Sequence, residues 1–458
     1  MSLAQAAEAI GGNMNGADVR FERVCTDSRT IGRGDLFVAL RGENHDGHRF
    51  VGQAVAAGAV AAIIDRAGEA TIPAAVPHAV VDDTTMALGS LAAHWRRRFA
   101  IPVIAVVGSN GKTTVKEMIA ACLRAHFGDA GVHCTRGNLN NHIGVPLTLL
   151  SLRPGHRVSV VEIGMNHPGE TRELARLVAP TVAVINNAQR EHQEFMRSVA
   201  DVAEEHAALI RALSGQGVAV FNADDTHAGV WRAAAGKHAV RDFGLTDSAR
   251  VHARSELKPT ASAITAITPE GDAQFELPLA GEHNVRNALA AIAAATAAGA
   301  TLQDCARGLA GFAAVKGRLQ VKAGRGGATL IDDTYNANPD SVRAAIDVLA
   351  KSAGRRILVL GDMGEVGEQG TEFHREMGEY ARNAGVDAMF ATGEQSVHAV
   401  RAFGAGARHY PQVEKLLADV QGALAPRTTV LVKGSRFMRM ERVVEGCELR
   451  SAEDSRCC

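Results

Sequence analysis

The sequence predicts an α/β fold of three domains: a small N-terminal α/β domain, a central doubly wound parallel sheet and a C-terminal Rossmann-like α/β domain. Three observations support this fold class. The chain has 458 residues, whereas one domain usually takes about 100 to 200. Short apolar runs alternate with stretches of helical periodicity along most of the chain. A Gly-rich loop ending in Lys-Thr-Thr directly follows one of the apolar runs.

The N-terminal domain is predicted over residues 1–84. Residues 35–40 and 59–64 have the apolar composition of strands, and residues 48–57 between them have helical periodicity. An amphipathic helix over residues 85–99 then leads into the next domain. Strand, helix and strand in this order predict a small α/β unit.

The central domain is predicted over residues 85–313. It begins with a continuous apolar strand, residues 103–107, followed by the Gly-rich loop and a helix over residues 113–125. Further strands are expected at 158–163, 181–185 and 217–221, with helices at 170–178 and 199–213 between them. Buried strands that alternate with helices are typical of a doubly wound parallel sheet.

The C-terminal domain is predicted over residues 314–458, where the same alternation returns. Strands are expected at 328–332, 357–360, 388–391 and 429–432, with helical stretches between them. The crossovers predict a second sheet similar to a nucleotide-binding fold.

Composition excludes several classes of function. The formal net charge is -1, from 49 basic and 50 acidic residues, so no global field would attract nucleic acid or an anionic membrane. The Ala-rich run 288–300 is too short to span a bilayer, and the N-terminus lacks the pattern of a signal peptide. The seven cysteines form an odd, scattered set, which favours reduced structural thiols. We therefore expect a cytoplasmic protein without a membrane span.

The Gly-rich loop, residues 108–114 (GSNGKTT), predicts that the central sheet is a P-loop sheet. A turn between a buried strand and a helix directs main-chain N–H groups at phosphate, and its lysine neutralises the β and γ oxygens. Val106 stands where the standard P-loop has its first glycine, so an ordinary strand–helix turn stays open as the alternative. The residues expected to contact nucleotide are Gly108, Ser109, Asn110, Gly111, Lys112, Thr113 and Thr114.

A Mg²⁺ ion at this loop would need a carboxylate as well as the Thr113 hydroxyl and phosphate oxygens. Glu162 is the candidate, because it ends a predicted strand and faces the crevice where parallel sheets bind ligands. His192 follows the next strand and is a second candidate, although a lone histidine is more often structural.

Five motifs occur along the chain in this order: residues 108–114 (GSNGKTT), 137–146 (GNLNNHIGVP), 162–166 (EIGMN), 281–287 (GEHNVRN) and 332–339 (DDTYNANP). In order and spacing they resemble the Mur ligase family. Four shorter motifs resemble the branch that joins D-alanyl-D-alanine to UDP-muramoyl-tripeptide: residues 26–29 (TDSR), 37–40 (FVAL), 361–363 (GDM) and 432–436 (VKGSR). The resemblance runs from about residue 24 to residue 446.

The resemblance implies roles for residues in all three domains. It assigns the UDP end of the substrate to the N-terminal domain at Ser28 and Arg29, and the sugar-peptide to Asn138, Asn140 and Asn141. It assigns ATP and Mg²⁺ to the central domain, with Lys112, Glu162 and His192 as catalytic residues and Thr113, Glu162 and His192 as metal ligands. Adenine, ribose or phosphate would be contacted by Asn284, Arg318, Asp333 and Asn336, and the incoming dipeptide by Lys433, Ser435 and Arg436.

Some of these residues have simpler interpretations. Asn284 and Asn287 could be helix caps, Arg318 could be an exposed turn residue, and the Ser28–Arg29 match is short enough to arise by chance. The implied partners are small molecules alone, and we expect a monomer.

The implied reaction is phosphorylation of the tripeptide carboxylate by ATP, followed by attack of the dipeptide amine on the acyl phosphate. Many members of the family hold a second Mg²⁺ with a carbamylated lysine in the helix after the histidine motif. This chain has no lysine between Lys116 and Lys237. Glu204, Glu205 or His206 would have to replace it, and we expect Glu205 or His206 to take part.

Other functions remain open at this point. Within the same chemistry, the chain could be a folylpolyglutamate synthase or the ligase that adds the third residue of the peptide. The TDSR segment weighs against the first, and the absence of an Asp-Asn-Pro-Arg motif weighs against the second. A P-loop kinase or NTPase and a non-catalytic UDP-sugar-binding protein are rivals from other classes.

Overall fold

The computed structural model describes residues 1–43, 45–73, 75–191 and 193–449. Its secondary structure forms three mainly parallel α/β sheets along the chain, which confirms the predicted fold class. A small antiparallel sheet, which the sequence analysis did not predict, is present as well.

The first sheet has five strands in the order β1-β5-β4-β3-β2. Only β1 runs antiparallel to its neighbour. The strands are β1 (Asn13–Asn15), β2 (Arg23–Cys25), β3 (Asp35–Val38), β4 (Ala61–Asp65) and β5 (His78–Val81), and the helices are α1 (Leu3–Ile10), α2 (Val51–Ala56) and α3 (Thr84–Arg96). Helix α3 packs on α1 and also on the helices of the central sheet, so the two regions share a continuous apolar core.

The central sheet has six parallel strands in the order β11-β10-β9-β6-β8-β7. The strands are β6 (Val103–Val107), β7 (Val132–Cys134), β8 (Val158–Glu162), β9 (Val182–Ile185), β10 (Val218–Phe221) and β11 (Ala239–Val240). The helices are α4 (Lys112–Phe127), α5 (Gly144–Leu150), α6 (Glu170–Val178), α7 (Val199–Arg211) and α8 (Ala228–Ala235). After β6 the chain forms β7 and β8 on one side of that strand, and then β9, β10 and β11 on the other side. This reversal opens a crevice at the carboxyl end of β6, where such sheets bind ligands.

The antiparallel sheet consists of β12 (His252–Leu257), β13 (Ser262–Thr268) and β14 (Gly271–Leu277). Every second residue of β13 is buried, as expected of a strand with one face on the core, but its sequence (SAITAIT) does not alternate apolar and polar residues. Helix α9 (Glu282–Ala297) packs between this sheet and α4, and α10 (Leu302–Ala310) follows. The alanines of α9 are mostly buried, so the Ala-rich run is an internal helix of the fold.

The last sheet has six strands in the order β15-β16-β20-β17-β18-β19, with β15 alone antiparallel to its neighbour. The strands are β15 (Gln320–Ala323), β16 (Thr329–Asp333), β17 (Arg355–Gly361), β18 (Ala388–Thr392), β19 (Ala407–Tyr410) and β20 (Thr428–Lys433). The helices are α11 (Pro339–Ala350), α12 (Gly370–Asn383), α13 (Ser396–Phe403), α14 (Val413–Ala423) and α15 (Glu441–Cys447).

Across the described ranges, no helix combines the length and apolar character needed to cross a membrane. The domain limits near residues 84 and 313 stay predictions. We use the names N-terminal, central and C-terminal domain below for the regions of the three α/β sheets.

Candidate functional site

The Gly-rich loop joins β6 to α4 at the carboxyl edge of the central sheet. Gly108 has a φ of 144° and Gly111 a φ of 80°, which side-chain-bearing residues rarely adopt. A Cβ on Gly108 would lie 3.0 Å from the Cβ of Asn186, so the glycine also permits a close approach of two chain segments. Because α4 begins at Lys112, the free N–H groups of its first turn face the crevice.

The loop is supported by the polar segment, residues 186–191, which follows β9. The main-chain N–H of Asn110 donates to Oδ1 of Asn187 at 2.8 Å, and the N–H of Gln189 donates to Oγ of Ser109 at 2.8 Å. Nδ2 of Asn186 donates to the carbonyl of Asn110 at 2.8 Å. The loop is therefore held in shape by hydrogen bonds from outside itself before any ligand binds.

Lys112 lies folded back over this loop. Its Nζ donates to the carbonyls of Gly108 and Ser109, at 2.5 and 3.3 Å, and is 3.2 Å from Oε2 of Glu191. A phosphate in the crevice would compete with these acceptors for the ammonium group.

Glu162 ends β8 beside the loop and is 1 % exposed. Its Oε1 accepts a hydrogen bond from Nδ2 of Asn140 at 2.8 Å, while Oε2 has no hydrogen-bond partner among the described residues. A buried carboxylate oxygen without a donor is costly unless a cation neutralises it. The donor set of Glu162 and the Thr113 hydroxyl therefore fits Mg²⁺, which prefers oxygen ligands.

The described part of the chain holds no group of three His, Cys, Asp or Glu side chains close enough to bind a metal by themselves. A cation beside Glu162 would therefore complete its shell with phosphate oxygens and water, as Mg²⁺ commonly does at nucleotide sites. His192, the other predicted metal ligand, lies outside the described residues.

Residues of the C-terminal domain reach into the same crevice. Nη2 of Arg318 donates to Oγ1 of Thr113 at 2.9 Å, and the guanidinium lies 4.1 Å from the centre of the Tyr335 ring. Nζ of Lys433 is 2.6 Å from Oδ2 of Asp333 and donates to the carbonyl of Asn336 at 2.9 Å. Arg318 thus contacts the phosphate loop directly, so it is not an exposed turn residue.

Two further contacts join the central and C-terminal domains. Nδ2 of Asn338 donates to Oδ1 of Asn110 at 2.9 Å, which links the start of α11 to the tip of the loop. Arg190 of the polar segment forms ion pairs with Asp340 and Glu376. Burial alone would lower the pKa of Arg190, but its hydrogen bonds to the two carboxylates raise that pKa above its ordinary value.

A single cavity of about 660 Å³ collects these groups. It is lined by many of the predicted site residues, namely Ser109 to Thr114 of the loop, Asn140, Asn141, Glu162, Asn284, Arg318, Asp333, Asn336 and Lys433. This volume is of the size expected for a small-molecule site.

Other predicted residues do not line this cavity. They are Ser28, Arg29, Gly108, Asn138, Ser435 and Arg436. Arg29 is exposed and paired with Asp27, and Arg436 is exposed and paired with Glu441. Ser435 is buried, where its Oγ accepts the N–H of Gly364 at 2.7 Å and donates to the carbonyl of Ala337 at 3.1 Å. In this arrangement Ser435 supports the neighbouring loops.

Asn284 and Asn287 stand in the first turns of α9, whose N-cap is Gly281. Nδ2 of Asn284 donates to the carbonyl of Ala280 at 2.8 Å, and Oδ1 of Asn287 accepts from Asn186 at 3.0 Å. Neither residue is the N-cap itself, and Asn287 supports the base of the phosphate loop.

Sequence reasoning missed the polar segment and its partners at the start of α11, namely Asn186, Asn187, Gln189, Arg190, Glu191, Asn338 and Asp340. One signal was available, because residues 186–191 follow a buried parallel strand and therefore lie at the ligand-binding edge of the sheet. No local pattern would have paired them with α11.

Comparisons with known proteins agree along the chain. Three protein-family models match the chain. They are described as "Mur ligase family, catalytic domain" over residues 20–96, "Mur ligase middle domain" over 106–295 and "Mur ligase, glutamate ligase domain" over 317–436. The UDP-N-acetylmuramoyl-tripeptide--D-alanyl-D-alanine ligase of Haemophilus influenzae is 39 % identical over 97 % of both chains. The Escherichia coli ligase of the same name is 38 % identical over 98 % of both.

Solved structures are similar in the same way. A crystal structure of MurF from Acinetobacter baumannii superposes with a TM-score of 0.90 at 36 % identity and covers 97 % of this chain and 98 % of its own. MurF from Thermotoga maritima, solved in complex with ADP, has a TM-score of 0.83 at 26 % identity and covers 93 % of this chain and 96 % of its own.

Proposed function

Because this chain belongs to the Mur ligase family of ATP-dependent amide ligases, we propose that it joins D-alanyl-D-alanine to UDP-N-acetylmuramoyl-tripeptide in peptidoglycan precursor synthesis. The observation that carries this proposal is the cavity itself. There the phosphate loop, the unsatisfied Oε2 of Glu162 and the C-terminal Arg318, Asp333 and Lys433 meet around one space. Near full-length identity to ligases of that name supports the choice of substrates.

The reaction proceeds in two steps. A carboxylate oxygen of the tripeptide attacks the γ-phosphorus of ATP, the bond to the β,γ-bridging oxygen breaks, and ADP leaves. The amine of D-alanyl-D-alanine then attacks the acyl carbon, inorganic phosphate leaves with the carbon–oxygen electron pair, and the amine loses a proton. No protein nucleophile takes part, so the protein contributes positioning, charge stabilisation and exclusion of water.

The nucleotide is held mainly by the loop. In this proposal, main-chain N–H groups of residues 108–114 surround the phosphates while Lys112 leaves its main-chain acceptors to neutralise the γ-phosphoryl group. Arg318, which contacts Thr113 of the loop, would meet the phosphates, and Asp333, Asn336 and Asn284, which line the same cavity, would contact adenine, ribose or phosphate. MurF from Thermotoga maritima was solved in complex with ADP, which supports an adenine nucleotide as a ligand of this chain.

Thr113 and Glu162 would hold Mg²⁺, together with His192, which the resemblance adds. When bound, the ion neutralises charge on the transferring phosphoryl group. Asn140 keeps Glu162 oriented toward the cavity through its 2.8 Å hydrogen bond.

The remaining substrate contacts stay proposals from the resemblance. Ser28 and Arg29 would bind the UDP end, and Asn138 and Asn141 would lie near the sugar-peptide. Lys433 lines the cavity and would contact the dipeptide, whereas Ser435 and Arg436 would reach it only after a rearrangement. We further propose that the protein acts as a monomer in the cytoplasm, where ATP and UDP-linked precursors are available.

Phosphate release from ATP tests the proposal directly. Release should require both UDP-muramoyl-tripeptide and D-alanyl-D-alanine, and the coupled product should appear in equal amount. Release with neither substrate would indicate an NTPase, and no release with both would indicate a binding protein; either result contradicts the proposal.

A further inference from the structure

Glu191, the last residue of the polar segment, presents a second buried carboxylate to the cavity. It is 5 % exposed and lines the cavity together with the phosphate loop. Its Oε2 is 3.2 Å from Nζ of Lys112, the cation expected to bind phosphate. Glu191 is not among the candidate residues predicted from the sequence.

His206 of α7 lies behind Glu191. The ring is 1 % exposed, its Nε2 is 3.4 Å from Oε1 of Glu191, and neither ring nitrogen makes a hydrogen bond to a described residue. The Nε2 atom is close enough to the carboxylate to act as the outer-shell partner of a metal ligand. Lys112, Glu191 and His206 thus form a row from the loop into α7.

The two acidic residues that precede His206 in α7 make contacts elsewhere. The carboxylate of Glu205 accepts the main-chain N–H groups of Gly169 and Thr171, at 2.9 and 2.8 Å, at the start of α6. Glu204 is more than half exposed and pairs with Arg211 at 2.6 Å. Neither carboxylate lines the cavity, although Glu205 was one of the two residues expected to serve a second metal.

We propose that Glu191, positioned by His206, is a ligand of a second divalent cation that binds together with the phosphates of ATP. This inference rests on the proposed function. Lys112 now compensates Glu191, but a bound γ-phosphate would draw the ammonium away and bring two anions near each other. A cation between carboxylate and phosphate relieves that repulsion. Many family members bring a carboxylate to a second cation on a carbamylated lysine of this helix. Helix α7 of this chain contains no lysine, and Glu191 supplies the carboxylate instead.

Mn²⁺ binding to the full chain tests this assignment without relying on turnover. Electron paramagnetic resonance can count bound Mn²⁺ in the presence of a non-hydrolysable ATP analogue. Wild type should bind two ions and Glu191→Gln only one. Glu204→Gln, a matched loss of a carboxylate on the outer side of α7, should bind two.

Variants of His206 test the positioning role. His206→Ala should weaken the second Mn²⁺ by roughly 10- to 100-fold, as removal of an outer-shell partner commonly does. His206→Gln, which keeps a polar group behind Glu191, should recover part of this loss. A merely structural role would lower the unfolding temperature of both variants without separating their Mn²⁺ affinities.

The possible failures can be told apart. One Mn²⁺ in wild type with bound nucleotide, or two in Glu191→Gln, would overturn the inference and leave ligation untouched. A wild-type chain that binds no ATP analogue would instead overturn the proposed function.

Discussion

Three N–H groups of Arg190 in the central domain donate to the carboxylate of Asp340 in the C-terminal domain. Nη2 and Nε of Arg190 lie 2.7 and 3.1 Å from Oδ1 of Asp340, and the main-chain N–H of Arg190 donates to Oδ2 at 2.9 Å. Nη1 also reaches Glu376 at 2.7 Å, and the guanidinium lies 5.2 Å from the centre of the Phe373 ring. This contact holds the polar segment, which supports the phosphate loop, against the C-terminal domain.

Breaking this contact should impair closure of the two domains. We expect Arg190→Ala to lower kcat/KM for ligation by roughly 10- to 30-fold, because a half-buried, hydrogen-bonded charge pair is worth about 2 kcal/mol. Small-angle scattering with bound nucleotide should show a larger radius of gyration. Arg375→Ala, which removes only exposed ion pairs on α12, is the control and should behave as wild type. Unchanged kcat/KM and scattering in Arg190→Ala would refute this role.

Loss of the loop lysine should abolish ATP turnover without unfolding the protein. Lys112→Ala removes the cation nearest the expected phosphates, and we expect phosphate release to fall by at least roughly 100-fold. The protein should still fold, because polar partners from 186–191 support the loop backbone independently. A folded Lys112→Ala protein that still hydrolyses ATP would remove Lys112 from the catalytic residues.

Arg318 should act mainly on the affinity for ATP. The planar guanidinium of Arg318 lies over the Tyr335 ring and donates to Thr113 at the same time. The compact ammonium group of a lysine cannot make both contacts at once. We expect Arg318→Lys to raise the KM for ATP about tenfold, near 1.4 kcal/mol, with a smaller change in kcat. Arg401→Lys, at an exposed position of α13, provides the comparison. Equal KM values in the two variants would argue against a nucleotide contact.

A buried histidine should make stability depend on pH. Burial, with repulsion from His156, lowers the pKa of His133 from 6.5 to about 4, and its two nitrogens lie 2.8 and 2.7 Å from the hydroxyls of Ser159 and Ser151. Between pH 6.5 and 4 the unfolded chain binds a proton that the folded chain excludes. The free energy of unfolding should therefore fall as the pH is lowered through this window and stay level above it.

Denaturant titrations of His133→Gln at two pH values isolate this contribution. The variant should be less stable than wild type at pH 7.5, because it loses a hydrogen bond. By pH 5 that difference should shrink by about 2 kcal/mol, since the proton penalty of wild type is then largely expressed. Substitution of the exposed His45 should leave the pH dependence unchanged. A constant difference between wild type and His133→Gln would contradict the assignment.

Much of the candidate site could be predicted because it lies at one recognisable place in a parallel sheet. The apolar run 103–107, the glycines of the loop and Glu162 after β8 all follow from strand ends and turn geometry. The same logic extends to residues 186–191, but these have neither periodicity nor a known motif and were missed. Residues 252–277 were missed for a different reason, since β13 (SAITAIT) has neither a continuous apolar run nor an alternation of apolar and polar residues, and it alternates only in burial.

The sequence by itself determined the fold class, the position of the phosphate loop and the family, because each is encoded in short stretches of contiguous residues. Tertiary structure alone decided which distant groups face that loop. Arg318 meets Thr113 across 205 residues, Asn338 meets Asn110 across 228, and Asp340 meets Arg190 across 150. Such pairs depend on how two separately formed sheets dock, and the periodicity of either segment contains no information about its partner. The neighbourhood of Glu191 and His206 is of the same kind, because it arises only when α7 packs beneath the end of β9.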